Sequence, residues 1–342
     1  MTDQRTPSEP SGAGQARFDW RMGLVILLGA ACLTGWVDKP IALGAGIALA
    51  LIGLAPTSKG MTKLAKLLIQ IGVVLLGLSM DLRQVAEAGL VGVIFAAGTI
   101  VGTFALGVVL GRVLGIEAKL TALLSSGTAI CGGSAIVATG SVIAATQTQI
   151  AVALGAVFVL NAVALYVFPP LGHMLDLGQV QFGTWAAVAI HDVANVLGAA
   201  EVFDRTAGSH AIPSLALKTA TAVKLTRALW IAPVALVCAW VFRSRDGAAD
   251  TKRKVSVPIP WFILWFVVAA AVGTFVPALQ FAAKPGALAA SRMMTVALLL
   301  IGCGLSRSAI AGVGWRAFVL ALSLWAAISV ASLLVVRWTI TG

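Results

Sequence analysis

From residue 22 to residue 338 the chain is a near-continuous series of apolar runs, at 22–37, 41–56, 64–80, 88–111, 119–145, 148–168, 181–200, 213–242, 259–280, 288–305 and 315–338. Most of them reach the length of about 17–25 residues that a helix needs to cross a bilayer, and the first two are short enough to tilt or pair as a hairpin. Eleven runs of this kind leave no room for a water-facing shell. Only 11% of the residues are charged and 59% are hydrophobic, with a mean hydropathy of +0.99, whereas a soluble domain carries about 25% charged residues. The chain reads as an all-α polytopic membrane protein. An outer-membrane barrel is excluded, since its strands alternate over about ten residues instead of running apolar throughout.

The net charge of +11 raises nucleic acid as a partner, but the basic residues flank apolar runs instead of clustering, so topology explains them and no nucleic-acid partner is expected. With the N-terminus placed in the cytoplasm, Lys39, Arg83, Arg205, Lys284, Arg292 and Arg337 fall outside, and fifteen of the 24 Lys and Arg fall inside. That asymmetry favours an N-in, C-out chain with an odd number of crossings in the inner (plasma) membrane. Three basic residues, Lys218, Lys224 and Arg227, lie within the eighth run and are not explained by topology. Lys218 is near the start of the run and can snorkel. Residues 1–16 are polar and read as a disordered cytoplasmic tail, with residues 17–342 as the transmembrane domain. They lack the apolar core of a signal peptide. Cys32, Cys131, Cys238 and Cys303 sit in apolar runs without metal-ligand spacing, so neither a disulfide framework nor a metal site is expected. His173 and His210 fall in loops and read as solvated, and most tryptophans lie near run ends, as in an interfacial belt.

Two segments resemble each other at an offset of 225 residues: Leu75, Gly77, Ala86 and Gly89 match Leu300, Gly302, Ala311 and Gly314. The runs that contain them differ by an odd number of crossings, so a true repeat is inverted, a recurrent plan in secondary transporters. A chance match between two Leu/Gly-rich helices is the other reading.

The fifth run reads Gly127-Thr128-Ala129-Ile130-Cys131-Gly132-Gly133-Ser134-Ala135 at its middle. Paired glycines there permit a break, and a break at membrane depth must line a cavity or be buried by protein. A second half-helix starting near Gly133-Ser134 points its free N–H groups and positive dipole end at the midplane, where an anion is favoured. Tight packing of a small-residue face is the plainer alternative. The seventh run carries His191-Asp192-Val193-Ala194-Asn195, and Asp192 is the only carboxylate near the centre of any run. His191 and Asn195 share a helix face, with Asp192 about 100° round from His191. Asp192 is either a proton carrier or the counter-ion of Lys224 or Arg227. Lys224 and Arg227 with His191 outnumber that carboxylate, and a positive excess in the membrane calls for an anion.

The motifs Gly127 to Ile136, His191-Asp192-Val193-Ala194 and Val223-Lys224-Leu225-Thr226-Arg227 resemble those of the YeiH-type membrane proteins, a family labelled as sulfate exporters. The resemblance covers nearly the whole chain from about residue 20. Asp192 stands where that family more often has Glu, and Gly133 where it has a smaller-than-average side chain such as Ala. The resemblance implies the sodium/proton antiporter and bile-acid symporter superfold, with inverted repeats, two crossing broken helices, and a core that moves against a dimerising scaffold. By that analogy the tenth run, at Gly302-Cys303-Gly304, is the second broken helix, and the protein is a homodimer in the lipid bilayer.

The expected function is a secondary transporter, an exporter of a small anion such as sulfate, a sulfonate or a carboxylate. Thr128, Cys131, Gly132, Gly133 and Ser134 cradle the anion with Asn195, Lys224 and Arg227 supply charge, and His191 with Asp192 couples H+ or Na+. No cofactor is expected, and no phosphate-binding GxxxxGK[ST] loop is present. An intramembrane enzyme using Cys131 or Ser134 with His191 suffers from poor geometry, because adjacent His and Asp on a helix point apart. A channel or receptor completes the alternatives.

Overall fold

A computed structural model describes residues 20–56, 59–208, 214–245 and 261–340. The tail at 1–16 and His210 lie outside the described residues. The described elements are helical: α1 (Trp20–Thr34), α2 (Lys39–Leu51), α3 (Lys59–Gly77), α4 (Leu82–Val113), α5 (Ala118–Ala129), α6 (Gly133–Val142), α7 (Gln147–Met174), α8 (Gln179–Ala189), α9 (Val193–Thr206), α10 (Leu215–Ala228), α11 (Ile231–Arg245), α12 (Trp261–Phe275), a short 3-10 segment (Pro277–Ala282), α13 (Ala283–Cys303), α14 (Arg307–Ala311) and α15 (Trp315–Thr339). Among the described residues, six stretches are long and apolar enough to cross a membrane. The chain is an all-α polytopic membrane protein.

Polar side chains set several starts. Asp81 Oδ1 accepts from the Arg83 amide at 2.7 Å, and Thr146 and Gln149 form a reciprocal capping box at the start of α7. The sixth run does not stop at Pro169-Pro170, since α7 continues to Met174 through both prolines. That moves His173 from the expected solvated loop onto the last helical turn, where it stacks on Phe203 at 4.2 Å and its Nε2 meets Thr206 Oγ1 at 2.6 Å.

The break expected in the fifth run is present between α5 and α6, but the chain turns back there instead of carrying on. A side chain at Gly127 would run into Ile136, and one at Gly140 would touch Leu123, so the two arms lie antiparallel. Glu117, before α5, accepts from Gln149 Nε2 at 2.5 Å, which puts both ends of the segment on one side. The seventh run does the same. Phe182 stacks on Phe203 at 3.9 Å, and Gln179 Nε2 donates to Asp204 at 2.7 Å, so α8 and α9 also form a hairpin. Only α7 lies between the two hairpins, so they enter from opposite faces. An α8 of 11 residues is about 16 Å long, roughly half the apolar thickness of a bilayer. Two of the eleven predicted spans are therefore re-entrant. The loops that change sides, 143–146 and 175–178, contain no Lys or Arg, so the charge asymmetry fits both topologies.

Helices α3 and α13 pack antiparallel. Ser79 Oγ donates to Ala283 O at 2.8 Å, and Gly72 faces Ala290 and Met294. At the 225-residue offset Gly77 and Gly302 are counterparts, and so are the N-caps Asp81 of α4 and Ser306 of α14. Gly77 lies against Phe266 and Ala269 of α12, while Gly302 lies against Leu43 and Gly46 of α2. Matched sequence in antiparallel partners with exchanged contacts is what an inverted repeat produces. The packing around the hairpins is also paired, since α4 packs on α5 as α15 packs on α8, and α11 packs on α6 as α7 packs on α9, but the 225-residue offset does not reach them, because it carries α5 past residue 342.

The helices sort into two bodies. α1, α2, α3, α12 and α13 pack on one another as a framework; α4, α7, α10, α11 and α15 surround the hairpins α5–α6 and α8–α9. The main packing between them is that of α2 and α13 on α9, α12 on α4, and α2 on α7.

Candidate functional site

The two hairpin tips meet. At the first, Ile130 has φ −124° and ψ −90°, and Gly132 has φ +64° and ψ −118°, a conformation open to glycine and hostile to L side chains. The Gly132 amide closes the turn onto Gly127 O at 2.9 Å. A Cβ on Gly132 would lie against His191, the residue at the other tip. There the chain is extended at Ile190, and Asp192 caps α9, its Oδ2 accepting from the amides of Ala194 (3.0 Å) and Asn195 (3.4 Å) and from Asn195 Nδ2 (3.1 Å).

Two polar anchors fix this junction. Asn161 of α7 uses Oδ1 to accept from the amides of His191 (3.0 Å) and Asp192 (3.2 Å). Lys224 of α10, fully buried, donates from Nζ to Ile130 O (3.1 Å), Ala187 O (3.2 Å) and Ile190 O (2.8 Å). One turn on, the buried Arg227 donates to Val188 O, Ala129 O and Ala187 O. Both cations thus sit at the C-terminal, negative dipole ends of α5 and α8 and tie the hairpins together. The Lys224 ammonium has all three protons engaged. Neither cation forms an ion pair with Asp192 among the described residues.

The structure therefore brings Thr128, Cys131, Gly132, His191, Asp192, Asn195, Lys224 and Arg227 to one place. Cys131 and Gly132 are buried, Gly133 is partly exposed, and Ser134 is exposed on the outer face of α6. Several buried polar atoms at or next to the tips have no hydrogen-bond partner among the described residues: Thr128 Oγ1, Asn161 Nδ2, both ring nitrogens of His191, Asn195 Oδ1 and Arg227 Nε. Such atoms are costly without a ligand or water. His191 makes no bond to Asp192, Cys131 or Ser134, so the residues of the enzyme alternative form no relay. No group of three or more His, Cys, Asp or Glu suited to a metal occurs among the described residues.

The expected second broken helix at Gly302, Cys303 and Gly304 is corrected. α13 is continuous through Cys303 and ends at Gly304; Gly302 is small because the backbone of α2 at Leu43, Gly46 and Ile47 passes against it. The second discontinuity is at His191-Asp192. Sequence reasoning passed over Asn161, although an amide near the centre of the apolar run 148–168 is the kind of signal that marks an intramembrane partner. It also passed over Lys39 and Glu201, a buried ion pair.

The model of the family described as Conserved hypothetical protein 698 matches residues 38–321. A UPF0324 membrane protein of Vibrio parahaemolyticus is 41% identical over 311 residues, covering 91% of this chain and 96% of that protein. One of Porphyromonas gingivalis is 42% identical over 305 residues (88% and 87%), and one of Geobacter sulfurreducens 38% over 317 residues (93% and 96%). No solved structure matches the chain. On a match that runs from α2 through both hairpins and α10 into α15, the chain belongs to the UPF0324 family of membrane proteins, the Conserved hypothetical protein 698 family.

Proposed function

We propose that this protein is a secondary transporter that exports a small anion such as sulfate, a sulfonate or a carboxylate, by alternating access coupled to H+ or Na+. The observation that carries the reading is a difference between the two tips. The α9 N-terminus is capped by the protein's own carboxylate, Asp192. Sixty residues earlier, in the matching place on α6, stands Gly132, which has no side chain to cap that helix; the Ala135 amide of its first turn meets the Cys131 thiol and not a carboxylate. A helix N-terminus at membrane depth without a capping carboxylate, beyond the hairpin tip whose carbonyls Lys224 and Arg227 hold, is complementary to an anion. Thr128, Asn161 and His191 offer unpartnered polar atoms beside it. The charges of Lys224 and Arg227 act through the carbonyl ends they hold and through space, since most of their donors are engaged. Asp192 with His191 is the proposed coupling pair. The protein is proposed to work as a homodimer in the inner membrane with its N-terminus in the cytoplasm.

The test is uptake of labelled sulfate, sulfonates and carboxylates by liposomes containing the purified protein, with and without imposed pH or sodium gradients. Saturable flux driven by one gradient is expected. Ser134→Asp, which adds a carboxylate to the first turn of α6, should lower the affinity at least roughly tenfold, while Ser134→Asn should not. No flux of any of these anions by folded protein would sink the reading.

A further inference from the structure

Away from the hairpin tips, a second group of buried charges lies where the two bodies touch. Lys39, at the first turn of α2, is 4% exposed, Glu201 on α9 is 7% exposed, and Ser291 on α13 is 8% exposed. Lys39 Nζ donates to Glu201 Oε2 at 2.5 Å and to Ser291 Oγ at 2.8 Å. Ser291 Oγ in turn lies 3.0 Å from both Glu201 oxygens. Arg205, one turn beyond Glu201, donates to Glu201 Oε1 at 3.0 Å and to Asp38, the N-cap of α2.

Both bodies contribute to the cluster. Asp38, Lys39 and Ser291 belong to the framework; Glu201 and Arg205 belong to the second hairpin. Lys39–Glu201, Ser291–Glu201 and Asp38–Arg205 all span the boundary. Around them the boundary is apolar and closely packed, with Gly198 of α9 seated against Leu298 of α13 and the Lys39 stem. Apolar faces can slide past one another with small changes in energy. A buried ion pair cannot, because displacement leaves charges unpaired in a medium of low dielectric. The cluster therefore fixes one register between the bodies. Glu201 and Asp192 sit on the same α9, nine residues or about 13 Å apart, so one rigid arm carries the boundary contacts at one end and the candidate ligand site at the other.

We propose that Lys39, Glu201 and Ser291, with Arg205 and Asp38, form a charge latch that holds the second hairpin to the framework in this conformation and must part for the hairpin body to move. The latch serves the transport reading above, but its test needs no ligand, so the two can fail separately.

Met174 on α7 and Phe281 in the 3-10 segment are 77% and 76% exposed and sit on different bodies. The four native cysteines are buried, so Met174→Cys and Phe281→Cys can carry spin labels for distance measurement in lipid nanodiscs. With the latch intact a single dominant distance is expected, with any other state near the about 0.1–10% typical of a minor conformer. Glu201→Gln should bring a second distance up to a major fraction. Lys39→Met with Glu201→Gln removes both charges together, leaves no unpaired buried charge, and keeps the fold; it should show the same second distance. A folded double variant with the unlatched protein's distance unchanged from wild type would overturn the proposal, since a purely structural ion pair alters stability and not the distribution. Loss of anion flux with the second distance present would count against the transport reading and not against the latch.

Discussion

The two hairpins are built alike and finished differently. Each has a first arm that ends in carbonyls held by Lys224 and Arg227, and each begins its second arm at a residue with non-helical backbone. In the second hairpin that residue is Asp192, whose carboxylate satisfies the α9 amides. In the first it is Gly132, which has nothing to offer the α6 amides and makes the turn through a positive φ. One hairpin supplies its own capping carboxylate, and the other does not. On the transport reading proposed above, this pair of hairpins has one ligand site instead of two equivalent ones.

The strongest way to break this comparison is to remove what both hairpins share. Lys224→Met strips three hydrogen bonds from the carbonyl ends at Ile130, Ala187 and Ile190, and each buried carbonyl left without a donor costs about 1–3 kcal/mol. Denaturation in detergent should show that loss, together with increased hydrogen exchange at both tips. Exchange raised at only one tip would show that the two are not tied by this residue.

Gly132→Ala attacks the first hairpin alone. Its φ of +64° with ψ −118° is costly for alanine, by about 1–3 kcal/mol, and the new methyl would crowd Val157 and His191. Anion uptake should fall with stability. Wild-type uptake from this variant would mean that the first tip does not hold the anion.

The smallest effect belongs to the second hairpin. Asp192→Ala removes the α9 cap and should cost about 1 kcal/mol, whereas Asp192→Asn keeps a capping oxygen and should be nearly neutral in thermal unfolding. The Asn variant then sharpens the contrast, because it retains the structural part of Asp192 and removes its proton. Gradient-driven flux lost in Asp192→Asn with binding retained would assign the coupling role; flux unchanged would confine Asp192 to capping.

The sequence revealed the helical class and the polar residues of the tips, and it hid how the chain is threaded. Gly132-Gly133 announced a discontinuity because two glycines at the centre of an apolar run have few other uses. The turn-back was hidden since the loops at 143–146 and 175–178 carry no Lys or Arg, and counting basic residues is blind to a hairpin whose outer loops have none. The second tip was hidden for a different reason. Asp192 has no neighbouring Gly or Pro, so it read as a polar residue within a helix, when it is the cap that starts one. Gly302-Cys303-Gly304 misled in the opposite direction, offering glycines that serve the close approach of α2 and not a break. Lys39 looked like an ordinary interfacial lysine, because its partner Glu201 is 162 residues away.

The tie made by Lys224 has a consequence for how the chain is assembled. Both hairpins leave the ribosome before α10 does, and until α10 arrives the carbonyls at Ile130, Val188 and Ile190 lack the donors that satisfy them here. Neither hairpin spans the bilayer, and open backbone groups are not tolerated in lipid. Insertion in simple order of synthesis therefore cannot complete this protein. The hairpins must wait at the membrane surface or in contact with water, and enter when the eighth apolar run has brought its lysine and arginine to the midplane.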